Sequence, residues 1–189
     1  MKKSGKSIAK ILKSTVAFEG PLFRVTTEQV REPGGYTVRR DVIRHPGSVV
    51  VMALRNGTRG GPEILLERQY RHAAKSYLWE LPAGKVDPGE GELAAAKREL
   101  LEETGYAARQ WEPILNFFVS PGFLDEQMRV FLARGLKAGK AQPEEDELIE
   151  CRFVSLRAAL RMIEKEQIRD AKTIAPLYWL ALHERSASA

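Results

Sequence analysis

The chain has 189 residues, 43% apolar and 29% charged, which suits one domain with a full core plus a small appendage. No run approaches the roughly 20 apolar residues that cross a bilayer, and Lys10 and Lys13 break the short apolar group behind the basic start, so neither a membrane span nor a secretory signal is expected. The single cysteine, Cys151, cannot form an internal disulfide, which points to a reducing, cytoplasmic setting. A net charge of +5 and a pI of about 9.4 decide less. The basic residues are scattered among carboxylates without interleaved aromatics, so no nucleic-acid partner is expected, while an anionic small molecule is compatible.

In chain order, residues 1–14 are lysine-rich and read as a basic, flexible tail. Residues 15–46 hold β-rich runs broken by turn residues, with Pro33-Gly34-Gly35 as a hairpin turn and His45-Pro46-Gly47 as a joint. A main domain is expected over 47–185. Ser48 to Leu54 is a valine-rich continuous run and reads as a buried strand. Ile64 to Arg71 and Tyr77 to Leu81 are further strands, and Pro82 to Gly89 a loop with two prolines and two glycines. Glu90 to Glu103 is rich in Ala, Leu and Glu and predicts a helix stopped by Gly105. Strands follow at Ile114–Val119, Met128–Ala133 and Ile149–Val154, with Cys151 expected as inert core. Helices are expected from Ser155 to about Gln167, and from Asp170 or Thr173 to near Glu184. This order predicts a mixed sheet covered by helices on both faces.

The chemistry concentrates in Gly84–Tyr106, GKVDPGEGELAAAKRELLEETGY. At about 100° per residue, Ala95, Glu99, Glu102 and Glu103 share one helix face. Leu93, Ala96 and Leu100 share a second, and Leu101 with Ala94 a third, so the helix is expected to be held between layers. Three carboxylates on one strip repel unless cations neutralise them, and hard oxygen donors suit Mg²⁺ or Mn²⁺. A solvated acidic stripe with Lys97 and Arg98 as partners is the ordinary reading of such a helix. The surrounding spacing overturns it. Gly84, five residues, Glu90, seven residues, Arg98-Glu99-Leu100, one residue, Glu102-Glu103, one residue and Gly105 reproduce the Nudix box. Leu100 set aside, the seven strictly specified positions at residue frequencies of about 5–7% give roughly 10⁻⁹–10⁻⁸ by chance. Tyr106 departs from the pattern, which usually has an aliphatic residue there; this is a packing position.

The chain thus resembles the Nudix hydrolases, and the resemblance implies their α/β/α sandwich and metal-dependent hydrolysis of a nucleoside diphosphate joined to another group. It implies that Glu99, Glu102 and Glu103, with the carbonyl of Ala83, bind the divalent ion, Mg²⁺ or Mn²⁺ in its place. Glu90 and Arg98 match residues that brace the loop and orient those carboxylates.

Within the family, several segments resemble the ADP-ribose pyrophosphatase and nucleotide-sugar hydrolase subgroup. Pro121 lies 15 residues after Tyr106, in Ser120-Pro121-Gly122, although Pro-Gly would end a strand anywhere. Gln69-Tyr70-Arg71 precedes Trp79-Glu80-Leu81-Pro82-Ala83-Gly84, the N-terminal β segment resembles a dimer-forming element, and Glu144-Glu145-Asp146-Glu147 resembles an acidic catalytic loop. The resemblance implies a phosphate contact for Arg71, a water-activating carboxylate at Glu147 (or Glu144 or Glu145), and a homodimer through the N-terminal strands. Phe23, Tyr36 and Arg40 are candidates for holding the base, and each also reads as a structural strand residue. ADP-ribose, giving AMP and ribose 5-phosphate, is the expected substrate. A nucleotide sugar such as GDP-mannose or ADP-glucose is the alternative. A non-catalytic nucleotide sensor is a third reading, disfavoured because a sensor has no need of the metal-binding carboxylates.

Overall fold

A computed structural model describes residues 8–57, 61–141 and 148–187. The chain divides into two compact units, Met1–Gly47 with Phe118–Gln127, and Ser48–Phe117 with Met128–Ala189.

The first unit is a three-stranded antiparallel sheet of β1 (Lys10–Glu19), β2 (Arg24–Arg31) and β3 (Thr37–Arg44), in that order. Strand β1 begins inside the segment read from the sequence as a tail, because Lys10 and Ile11 pair with Arg31 and Val30 of β2. The Pro-Gly-Gly hairpin closes with Gly35 donating to the Glu32 carbonyl at 2.9 Å, and Gly35 has a φ of +86°, which glycine adopts without strain. Residues 118–127, read from the sequence as part of the main domain, belong to this unit. Ile43 donates to the Phe123 carbonyl at 2.8 Å and Asp125 donates back to the Ile43 carbonyl at 3.1 Å. Arg44 then bridges Glu28 at 2.7 Å and Asp125 at 3.0 Å, holding the Glu28 carboxyl below its ordinary pKa through that bond. Every residue of β1 is exposed, including Ile11, Leu12, Val16 and Phe18, and β1 forms the outer edge of its sheet.

The second unit is the expected mixed sheet with helices on both faces. Its strands are β4 (Ser48–Asn56), β5 (Pro62–Arg71), β6 (Ser76–Glu80), β7 (Ala83–Lys85), β8 (Tyr106–Phe118), β9 (Gln127–Ala138) and β10 (Glu150–Ser155). The main path runs β10-β5-β4-β9-β8, with β6 on β5 and β7 on β4; β4 and β9 are parallel and the other registered pairs antiparallel. The helices are α1 (Glu92–Thr104), α2 (Leu156–Glu164) and α3 (Ala171–Ala187). Strand β8 starts directly at Tyr106, not at Ile114, and α2 stops short of Gln167.

Successive side chains of a strand point to opposite faces, so the valine run of β4 supplies two cores at once. Val50, Met52 and Leu54 join Ile64, Leu66, Val130 and Leu132 under Met162, Leu177 and Leu180 of α2 and α3. Val49, Val51 and Ala53 join Leu65, Phe131 and Ala133 under Ala95, Ala96 and Leu100 of α1. The structure corrects one expectation for α1. Leu93 and Leu101 are exposed, so the helix buries a single face and is not held between layers. That face mixes Ala95, Ala96 and Leu100 with Glu99, Glu103 and Thr104, because the loop beside the helix, not a second apolar layer, covers the carboxylates.

Leu100→Ala is therefore expected to cost about 2–5 kcal/mol, the usual loss for a buried leucine, and Leu101→Ala no more than about 0.5 kcal/mol. Chemical denaturation of the two variants checks this, and equal losses would contradict a single buried face.

Candidate functional site

The site is assembled where α1 lies against β7 and the loop that follows. Strand β7 is anchored on the start of β4 by Val49–Gly84 and Val50–Ala83 pairing, and Val51 donates to the Pro82 carbonyl at 2.8 Å. Gly105 ends α1 with a φ of +72° and donates to the Leu101 carbonyl at 2.9 Å. A side chain there would also meet the Ala141 nitrogen at 2.6 Å, so this stop needs glycine on two counts.

Glu99 and Glu103 are buried and face the loop, whereas Glu102 is half-buried. A Glu103 carboxylate oxygen accepts from the Ala83 nitrogen at 3.1 Å. The Glu99 carboxyl occupies the space Gly84 leaves: a Cβ on residue 84 would come within 2.0 Å of Glu99 Cδ. Any side chain at position 84 must therefore displace Glu99.

Arg98 ties the loop to the helix. Its Nε and Nη2 donate to the two oxygens of Glu90 at 3.1 and 2.9 Å, its Nη1 to Glu99 at 2.7 Å and Glu102 at 3.1 Å, and its Nη2 also to the Lys85 carbonyl at 3.1 Å. Glu90 also accepts from the Asp87 nitrogen at 3.3 Å. The forked, permanently charged guanidinium suits this several-sided role. Its bond to Glu90 is the main reason its pKa rises and that of Glu90 falls. The structure thus brings Ala83, Glu90, Arg98, Glu99, Glu102 and Glu103 together. Among the described residues, no three Asp, Glu, His or Cys side chains form a closed metal cage, since Glu99 and Glu102 are both turned onto Arg98. The donors at hand are carboxylate oxygens, with the Ala83 carbonyl close by, and this hard set fits a divalent ion of the Mg²⁺ kind.

Sequence reasoning passed over a second cluster. Glu80, at 1% exposure, accepts from Arg71 Nε at 3.1 and 3.2 Å and from Nη2 at 2.8 Å, and also from Lys172 Nζ. Lys172 lies 3.1 Å from Asp170, and Asp170 caps α3 by accepting from the Thr173 nitrogen at 3.1 Å. The Thr173 hydroxyl accepts from the Leu81 nitrogen at 2.8 Å, so the start of α3 is fastened to the residues just before the box. Glu80 lies just before Leu81-Pro82-Ala83 in the sequence, but of its two partners only Arg71 is near, nine residues upstream, whereas Lys172 is 92 residues downstream and no local spacing announces it. Desolvation opposes the Glu80 charge, yet Arg71 and Lys172 outweigh it and hold the carboxyl below its ordinary range. Arg71 pays for desolvation too, but Glu80, Glu67 and Glu103 together raise its pKa.

Four of the remaining sequence candidates, Phe23, Tyr36, Arg40 and Pro121, belong to the first unit. Phe23 and Pro121 lie in the first unit at the Arg44 end of its sheet, with the Phe23 ring 5.8 Å from that of Phe18 and Pro121 exposed in a turn closed on the Ser120 carbonyl. Tyr36 is exposed at the opposite, hairpin end, roughly 23 Å away at strand rise, so Phe23 and Tyr36 cannot hold one base within a protomer. Arg40 is engaged by Glu32 at 2.7 Å. Glu144, Glu145 and Glu147 lie outside the described residues. Cys151 is exposed, not core. Its Sγ lies 3.9 Å from the Glu103 carbonyl, and its thiol is pushed up to about 12, by desolvation first and then by the charges of Glu67, Glu103 and Glu150. Among the described residues, no helix is long and apolar enough to cross a membrane.

The family model described as NUDIX domain matches residues 44–177, and the chain belongs to this family of hydrolases. Among curated relatives, it is 37% identical over 169 residues to the ADP-ribose pyrophosphatase of Bacillus subtilis, covering 88% of this chain and 89% of the relative. It is 36% identical over 176 residues to the ADP-ribose pyrophosphatase of Mycobacterium tuberculosis, covering 91% and 82%. It is also 37% identical over 177 residues to the Methanol dehydrogenase activator of Bacillus methanolicus, covering 93% and 94%. The chain is a Nudix pyrophosphohydrolase.

The Glu80 cluster carries a pH signature. A carboxyl held below 4.5 in the folded state contributes stability that is full above that value and is lost as pH falls through the lowered one. Glu80→Gln is expected to cost about 3 kcal/mol at neutral pH, the scale of breaking a buried ion pair. Urea unfolding should show the gap to wild type shrinking below pH 4.5, and a gap that stays constant into more acidic buffer would contradict the assignment.

Proposed function

We propose that this Nudix hydrolase cleaves ADP-ribose to AMP and ribose 5-phosphate. The observation that carries the reading is the position of Arg71: its guanidinium stands within electrostatic reach of Glu103, in the same compact unit as the box. The Bacillus subtilis and Mycobacterium tuberculosis relatives that match most of the chain bear the name of this activity.

Glu99, Glu102 and Glu103, with the Ala83 carbonyl, would hold the divalent ion, Mg²⁺ or Mn²⁺, which when bound supplies Lewis-acid charge to the diphosphate. Arg71 takes the diphosphate oxygens through its planar fork. Arg98 and Glu90 keep the loop and the carboxylates in place. A carboxylate of the late acidic segment, for which Glu147 is the choice, takes the proton of the attacking water. The water oxygen bonds to phosphorus, the bridging P–O bond breaks, and the displaced phosphate leaves on its own product.

The test is turnover of ADP-ribose, nucleotide sugars, NADH, diadenosine polyphosphates and dNTPs with Mg²⁺ or Mn²⁺, repeated in ¹⁸O-water. Label should appear on a product phosphate and not on a sugar hydroxyl, and Glu103→Gln should lower turnover about 10²-fold or more. A kcat/KM for a nucleotide sugar at least about tenfold above that for ADP-ribose would overturn the substrate but not the site. Near-wild-type rates for both Glu99→Gln and Glu103→Gln would overturn the site.

We further propose that the chain works as a homodimer through its N-terminal strands. Strand β1 exposes Ile11, Leu12, Val16 and Phe18 along an open sheet edge, an arrangement that invites a second copy. Sedimentation should give a dimer at micromolar concentration, and Val16→Lys with Phe18→Lys should give monomers. A wild-type monomer with full activity would contradict this.

A further inference from the structure

We infer that Glu80 and Lys172 are positioning residues that set how Arg71 is offered to the substrate, with the N-terminus of α3 as their support. The inference rests on the reading of Arg71 as the phosphate contact.

The geometry is specific. All three bonds from Arg71 to Glu80 come from its Nε–Nη2 edge, which leaves the Nη1 edge for an anion. The Arg71 side chain is 36% exposed while that of Glu80 is 1% exposed, so the pair has a buried anchoring side and an open side. An arginine on a strand end has several rotatable bonds and would otherwise sweep a wide volume. Fixing one edge removes that freedom before a ligand arrives, which favours binding by preorganisation.

Lys172 adds a control on charge. Arg71 and Lys172 bring two positive charges, Glu80 and Asp170 two negative ones, and Lys172 touches both carboxylates. Without Lys172 the whole charge of Glu80 would fall on Arg71 and weaken its pull on a phosphate. With Lys172 in place, Glu80 orients the guanidinium without fully neutralising it. Lys172 is held in turn because Asp170 caps α3 and Thr173 is bonded to Leu81. Lys172, 92 positions downstream of Glu80, thus acts on the phosphate contact through Glu80.

The test is a double-mutant cycle on ADP-ribose hydrolysis with the full-length chain, assayed well below the melting temperature of each variant. Arg71→Ala, Glu80→Gln, Lys172→Met and the two doubles with Arg71→Ala are compared by kcat/KM. Glu80→Gln and Lys172→Met should each lower kcat/KM about 10-fold, mainly through KM, and neither should lower it further in the Arg71→Ala background. Should Glu80→Gln fail to fold, the Lys172→Met arm decides by itself, since it leaves the Arg71–Glu80 bonds in place. Additive losses in the Arg71→Ala background would overturn the inference, because a general loosening of the fold does not pass through Arg71. Arg71→Ala with kcat/KM within about twofold of wild type would instead overturn the phosphate role of Arg71 itself.

Discussion

Four carboxylates, Asp87, Glu90, Glu99 and Glu102, lie around one guanidinium, and the site exists because Arg98 can serve them all. Asp87 stands at 3.9 Å and the others at 2.7 to 3.1 Å. Without that cation the acidic turns of α1 would repel one another and the loop that carries Glu90 would have nothing to close on. A lysine could not replace it, because the arrangement uses Nε, Nη1 and Nη2 together. The missing side chain of Gly84 is the matching constraint. It lets the Glu99 carboxyl lie against the backbone of β7, so loop and helix meet without a layer of side chains between them.

This closure depends on a sheet that holds both partners. Strand β4 carries β7 at its start and packs under α1 with alternate residues, so Val49 pairs with Gly84 while its side chain lies in the same core as Ala96 and Leu100. Val50, Met52 and Leu54 of β4 enter the core beneath α2 and α3. The two cores therefore share one strand, and the helix that bears the carboxylates and the helix that bears Lys172 are referred to the same backbone. Leu81, bonded to Thr173 and buried in the core beneath α3, links the two.

The N-terminal unit shows a different economy of contact. Its three strands make a sheet too thin to cover its own apolar residues, and β1 remains exposed along its length. The segment 118–127 joins it through Ile43, Arg44 and Asp125, which makes the Ser120-Pro121-Gly122 turn part of this unit.

What the sequence by itself determined is whatever rests on short separations. The helix and its glycine stop, the carboxylate strip and the buried strand β4 follow from helical periodicity, a continuous apolar run and short-range spacing, and the bracing pair Glu90 and Arg98 from the resemblance that the box spacing carries. Only the tertiary structure decided matters set by distant chain segments. It paired Glu80 with Lys172, 92 residues away, and bonded residue 125 to residue 44. It put Tyr36 and Phe23 at opposite ends of one sheet, and left Leu93 and Leu101 in solvent where periodicity alone had given them an apolar layer to cover. The reason is physical. Local pattern records which side chains share a face, but which surface covers that face depends on how remote strands and helices pack, and a single chain's order carries no direct mark of it.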